Sequence, residues 1–239
     1  MVIKRSQKME RMALDKIKEH LSRAPRSLDK WHVSDLLYPR KSYFGRIDPQ
    51  PMTDLQAMYF LAGRAHHGIL EACLGKWDKA KQDAARADAG EFEKYGIYYS
   101  PDLRMPYPWE IKTSRSQYEP KSDYAKKFEG YLHQLNMYQA MDATDKGVLL
   151  VFYLCLKQAG QWGLKPALRL YKVLFTKAER EKKLKWMKGM AAKLTTCVKT
   201  KKHAALPLCP QFMCGDCPWF KKCKPWLLEP KRKDAQKAK

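Results

Sequence analysis

The sequence predicts an α/β fold: a mixed central sheet flanked by helices, with a small Cys-rich metal lobe at the C-terminal end. Three observations carry this expectation. Residues 54–75 and 177–200 repeat apolar side chains at helical spacing. Residues 148–156 form a continuous apolar run, the pattern of a strand covered on both faces. Residues 108–113 alternate, so that Trp109 and Ile111 share one face and Glu110 and Lys112 the other. The order helix, strands, helix, strand, strand, helix favours a mixed sheet.

Taken in order, residues 6–22 carry Met9, Met12, Ala13, Ile17 and Leu21 as a helical stripe inside an N-terminal unit of 1–30. Ser34 suits the cap of a short helix starting at Asp35. Residues 38–44 are basic and aromatic, fit either for a phosphate backbone or for the core. In 54–75 the stripe is Leu55, Met58, Tyr59, Ala62, Ile69 and Cys73, with Gly63 and His67 on an adjoining face. Residues 78–91 are polar, and 92–103 read as extended. Pro106 and Pro108 interrupt the chain before the strand at 108–113. Residues 122–142 form a helix on which Gln134 and Tyr138 lie one turn apart. A strand at 167–175 and a long basic helix at 177–200 follow. The helix stripe is Leu184, Met187, Ala191, Leu194 and Val198. The main unit spans 31–200, the Cys-rich lobe 201–226, and 227–239 is a basic tail of disordered composition.

The chain has 239 residues, with 47 Lys and Arg against 25 Asp and Glu, a formal charge of +22. Such an excess suits a polyanion, and interleaved aromatic rings suit the bases of nucleic acid. The N-terminal stretch has charge but no apolar segment of a secretory signal. The 148–156 run is too short to span a bilayer as a helix. A soluble, cytoplasmic protein is therefore expected. A reducing compartment disfavours disulfides, so the seven cysteines need another explanation. Cys73, Cys155 and Cys197 fall on apolar stripes or runs and read as core residues. Cys209-x4-Cys214-x2-Cys217-x5-Cys223 reads as a four-thiolate metal site, which on spacing alone fits zinc or a 4Fe–4S cluster.

The chemistry concentrates at Asp102, Glu110 and Lys112. If Asp102 lies beside the 108–113 strand, two carboxylates and an ammonium meet at one point. Carboxylate oxygens suit Mg²⁺ or Mn²⁺. The ammonium can act as base if its pKa is depressed, or orient a water and steady charge on a phosphate.

These parts resemble the RecB-like branch of the PD-(D/E)XK nuclease superfamily, including the CRISPR-associated iron–sulfur exonucleases. The resemblance runs from about Trp31 to Cys223. It rests on Ser34-Asp35-Leu36 with Pro39-Arg40-Lys41, Gly63-x3-His67, Pro101-Asp102, Glu110-x-Lys112, Gln134-x3-Tyr138 and Cys214-x2-Cys217-x5-Cys223, all in the family's order. It implies a restriction-endonuclease-like core over 31–200. It implies His67, Asp102, Glu110 and the Ile111 carbonyl as ligands of the catalytic metal. Lys112 would position or activate water, and Gln134 and Tyr138 would support the site or contact DNA. Many relatives take one cluster ligand from an N-terminal Cys, but Tyr38 stands there in this chain. Cys209 is expected to replace it, making all four ligands local.

The function expected is a divalent-metal-dependent DNA nuclease, an exonuclease on ends or single strands, serving recombination, repair, replication or CRISPR-type adaptation. The alternative is a non-catalytic nucleic-acid-binding protein with a structural zinc or iron–sulfur lobe. A weaker reading is a zinc-ribbon-like protein in which 209–223 is the functional part.

Overall fold

The computed structural model describes residues 7–21, 28, 30–75, 92–104, 106–120, 123–157, 163–210, 213–215 and 217–223. The polar stretch at 78–91 and the tail at 227–239 lie outside the described residues. The chain is mixed α/β, as its pattern predicts. Among the described residues no helix is long and apolar enough to cross a membrane.

A four-stranded mixed sheet organises the molecule in the order β4-β5-β6-β7. These strands are β4 (Leu103–Arg104), β5 (Pro108–Ser114), β6 (Lys146–Lys157) and β7 (Leu164–Leu174). β4 and β5 form an antiparallel hairpin, β5 runs parallel to β6, and β7 returns antiparallel. The parallel step needs a crossover. Helices α5 (Tyr124–Lys127) and α6 (Glu129–Asp142) supply it. The expected helix over 122–142 thus breaks into two at Phe128. A second, three-stranded sheet holds β1 (Trp31–His32), β2 (Phe92–Lys94) and β3 (Ile97–Tyr99) in the order β1-β3-β2. The expected extended run at 92–103 is therefore three short strands with a turn at Tyr95 and Gly96.

Register decides which faces are buried. Glu110 pairs with Leu149 and Lys112 with Val151, while Ile111 pairs with Leu150. Leu149, Val151 and Tyr153 face the main core, where α6 and the long helix α7 (Lys177–Thr200) supply Leu135, Met137, Met187 and Leu194. Helix α7 begins with a capping box. Its Thr176 hydroxyl accepts from the Glu179 N–H at 3.2 Å, and the Thr176 N–H donates to the Glu179 carboxylate at 2.7 Å. On the opposite sheet face Trp109, Ile111, Val148 and Leu150 form a smaller cluster beneath Leu70 and Leu74 of α4 (Asp54–Gly75).

Several burial expectations need correction. Met9 and Met12 of α1 (Gln7–Leu21) are exposed, and Leu21 alone of the expected stripe is fully buried there. Leu55, Met58, Tyr59 and Ile69 of α4 are exposed too. Helix α4 is apolar nearly all round, so periodicity cannot say which face meets the sheet. Cys73 and Cys155 are exposed, and Cys197 is buried as expected. The β6–β7 register slips between Tyr153 and Leu156, so alternation near Cys155 is lost.

Ser34 is not a cap. Helix α2 (Val33–Leu37) starts after His32, whose N–H donates to the Asp35 carboxylate at 3.0 Å. The basic, aromatic segment at 38–44 opens helix α3 (Pro39–Ile47), which buries Arg40, Tyr43 and Phe44. The C-terminal segment packs on α3. Trp219 stacks on Phe44 and donates to the Asp48 carbonyl at 2.8 Å, and Leu206 enters the main core.

Candidate functional site

The β4–β5 hairpin places Asp102 against β5. The Asp102 N–H donates to the Trp109 carbonyl at 3.2 Å, and its Oδ2 accepts the Ile111 N–H at 2.6 Å. Helix α4 brings His67 from the other side. His67 Nε2 lies 3.0 Å from Asp102 Oδ2 and 3.1 Å from the Ile111 carbonyl oxygen. His66, its neighbour, bonds the Ala62 carbonyl at 2.6 Å and packs its ring at a tilt against Phe152.

Glu110 and Lys112 emerge on the α6 face of β5 and touch each other, the Lys112 ammonium against Glu110 Oε1. The Glu110 side chain is 0% exposed, and its Oε2 has no hydrogen-bond partner among the described residues. Burial, and then the charge of Asp102, pushes the Glu110 carboxyl up to about 8 against the pull of Lys112. For Lys112, burial pulls downward, but the charges of Glu110 and Asp102 outweigh it and leave the ammonium above its ordinary value. That direction favours a charged, orienting Lys112 over a neutral base. Lys112 also donates to Gln134 Oε1 at 3.5 Å, and Gln134 donates to the Tyr138 hydroxyl at 2.8 Å. The Tyr138 phenol is raised well above its usual range by burial, then by Glu110 and Asp102. The sequence-predicted residues thus fall into two contact groups, His67 with Asp102 and Ile111, and Glu110 with Lys112, Gln134 and Tyr138, joined through the backbone of β5.

The set fits a divalent cation in its donor chemistry. It offers a ring nitrogen, two carboxylates and a carbonyl, one buried carboxylate oxygen being orphaned. An octahedral ion with bonds of ~2.1 Å has donor–donor edges of about 3.0 Å, close to the two separations around His67 Nε2. The grouping is incomplete in one respect. Among the described residues no three His, Cys, Asp or Glu side chains are gathered as a metal centre, and Glu110 is in contact with Lys112.

The same limit applies to Cys209, Cys214, Cys217 and Cys223. All four line one hollow of about 30 Å³ with Arg40 and Lys41, without closing on a common point. Cys209 accepts the Lys41 backbone N–H, in the first turn of α3. Burial raises the Cys209 and Cys214 thiols, and the charges of Cys217 and Cys223 add to this in both. Four sulfurs about one hollow fit zinc or an iron–sulfur cluster in kind.

Sequence reasoning placed Arg40 in the Pro39-Arg40-Lys41 motif without foreseeing its partners. It donates to the Leu206 carbonyl, to the Ala204 carbonyl at 3.3 Å and to Cys223 Sγ at 3.7 Å. The tie between the N-terminal segment and the Cys segment, which a cysteine at position 38 would have given, is made by this guanidinium. Tyr38 itself lies between the two places, since its phenol feels both Lys112 and Cys209. A cation inside an otherwise apolar helix face was the signal available in the sequence.

No family model matches the chain, and no curated protein matches it. A solved structure, the crystal structure of a protein called SSO0001, is similar with a TM-score of 0.50 and 18% identity. The match covers 91% of this chain and 96% of that one. At this identity the likeness concerns the fold.

Proposed function

We propose that this protein is a divalent-metal-dependent DNA nuclease resembling the RecB-like PD-(D/E)XK enzymes, hydrolysing phosphodiester bonds at ends or in single strands. The observation that carries the reading is His67 Nε2 lying 3.0 Å from Asp102 Oδ2 and 3.1 Å from the Ile111 carbonyl oxygen, with the buried Glu110 and Lys112 in contact on the same strand.

His67, Asp102, Glu110 and the Ile111 carbonyl would hold Mg²⁺ or Mn²⁺. A bound ion of this kind lowers the pKa of a coordinated water and neutralises charge on phosphoryl oxygens. Lys112 keeps its proton and donates hydrogen bonds, which suits it to orient the water and to steady charge growing on the phosphate. Gln134 holds Lys112, and Tyr138 holds Gln134. The +22 charge supports a polyanionic substrate. The restriction-endonuclease-like core and the Cys-rich lobe, with a 4Fe–4S cluster or zinc at Cys209, Cys214, Cys217 and Cys223, belong to the same proposal.

Labelled single-stranded and duplex DNA with Mn²⁺ tests the reading. Wild type is expected to cleave. Asp102→Asn and Lys112→Ala are expected to lose about a hundredfold or more, the scale for one preorganised electrostatic group. No cleavage by wild type, or cleavage by both variants at the wild-type rate, refutes it. A second reading, nucleic-acid binding without chemistry, is favoured by the turn of Glu110 onto Lys112. It calls for salt-sensitive DNA binding indifferent to EDTA.

A further inference from the structure

We infer that Tyr59 and Arg115 form a stacking clamp that grips an unpaired base a few nucleotides along the strand from the cleavage point. The inference rests on the nuclease reading and adds to it the state of the strand that the site accepts.

Tyr59, Gly63 and His67 follow one another at four-residue steps on α4 and share one stripe of the helix. With a rise of 1.5 Å per residue, Tyr59 stands about 12 Å along the axis from His67. A Cβ placed on Gly63, between the two, would meet no atom within 4 Å. The stripe is thus open at its middle. Arg115 follows the last residue of β5, and its guanidinium lies 4.3 Å from the centre of the Tyr59 ring. Tyr59 is 47% exposed, and Arg115 is exposed as well.

Other guanidinium–ring pairs in the molecule have structural employment. Arg46, over Trp31, is bonded to Asp35 at 2.7 Å. Arg104, over Phe92, is bonded to Asp142 at 2.5 Å. Among the described residues Arg115 has no carboxylate partner. An exposed ring carrying an uncompensated cation offers both things a single strand presents, a π-face for a base and a positive charge for a phosphate. Bases inside a duplex stay stacked on their neighbours and cannot lie on the ring. The clamp therefore selects single-stranded or frayed ends. At ~3.4 Å per phosphate in a stacked strand, 12 Å corresponds to about three or four nucleotides.

The test varies the number of nucleotides beyond the cleaved bond from one to eight, with Mn²⁺, and reads kcat/KM. For wild type a gain is expected when the strand reaches about three or four nucleotides. Tyr59→Ala loses that gain, about tenfold, the scale of one stacked base. Tyr59→Phe, which keeps the ring, retains it. In parallel, 2-aminopurine at that position, with Ca²⁺ in place of Mn²⁺, is quenched by wild type and Tyr59→Phe and stays bright with Tyr59→Ala. Length profiles identical for wild type and Tyr59→Ala, or Tyr59→Phe behaving like Tyr59→Ala in both readouts, overturn the clamp. Position-specific quenching without cleavage by wild type would sink the nuclease reading while supporting the clamp, so the two failures are distinguishable.

Discussion

Replacing Arg40 by Met keeps most of the apolar volume of the side chain and removes its charge. Arg40 is 2% exposed, and among the described residues it has no carboxylate partner. Its bonds go to two carbonyls and to Cys223 Sγ, 3.7 Å away. While the four thiols are protonated, the guanidinium has nothing of opposite charge beside it. Four thiolates around one Zn²⁺ leave a net charge of minus two at that spot, four negative charges less two positive. A full charge pair at this separation, with an effective dielectric near 20, is on the order of 4 kcal/mol. Spread over several sulfurs, about 3 kcal/mol remains, and it exists only in the loaded state. Competition with a chromophoric chelator, with Zn²⁺ as the probe, should show affinity reduced about a hundredfold in Arg40→Met. Arg40→Lys should fall between, since an ammonium cannot reach both carbonyls and the sulfur as a fork does. An Arg40→Met affinity within about threefold of wild type, on the same scale, would refute the assignment of this hollow as a thiolate metal site balanced by Arg40.

Burial, and then Lys183, lowers His133 to about 4, from an ordinary value of 6.5. A folded value depressed below the unfolded one means stability fully present above about pH 6.5 and lost as pH falls towards 4; the melting temperature of His133→Gln should therefore fall less steeply over this window than that of wild type, and parallel curves would contradict it. Gly147 faces α6, where an added Cβ would stand 3.0 Å from both Gln139 Nε2 and Leu135 Cδ1. Gly147→Ala should cost about 1–3 kcal/mol in urea unfolding, and an unchanged midpoint would show that α6 yields freely. Arg46→Met leaves Asp35 buried without its cation and strips a guanidinium 3.7 Å from the Trp31 ring; a loss of roughly 3–5 kcal/mol is expected, and a loss under about 1 kcal/mol would mean that the pair is solvated.

The parts of the fold written in short-range pattern were legible. Helix α7 spans the expected 177–200, α4 the expected 54–75, and the alternation around Trp109 and Ile111 sorted the two faces of β5 correctly. What failed was the choice of buried face where every face is apolar. Met58 and Ile69 on α4 and Met9 on α1 match an apolar stripe in composition, yet they lie in the open because the sheet meets only the side bearing Leu70 and Leu74. The candidate site residues were chosen by their chemistry and order, and the structure brings His67, Asp102 and the Ile111 carbonyl together. Two features were only partly legible. Arg40 finds its partners on a segment more than 160 positions away, and the contact of Glu110 with Lys112 is one that their shared strand face permits without requiring.

Manganese anomalous diffraction from crystals soaked in Mn²⁺ tests the central claim most directly. The account calls for a peak about 2.2 Å from His67 Nε2, an Asp102 carboxylate oxygen and the Ile111 carbonyl oxygen, with Glu110 swung from Lys112 onto the ion. A map in which manganese settles elsewhere, with His67 and Asp102 still bonded to each other, would contradict it.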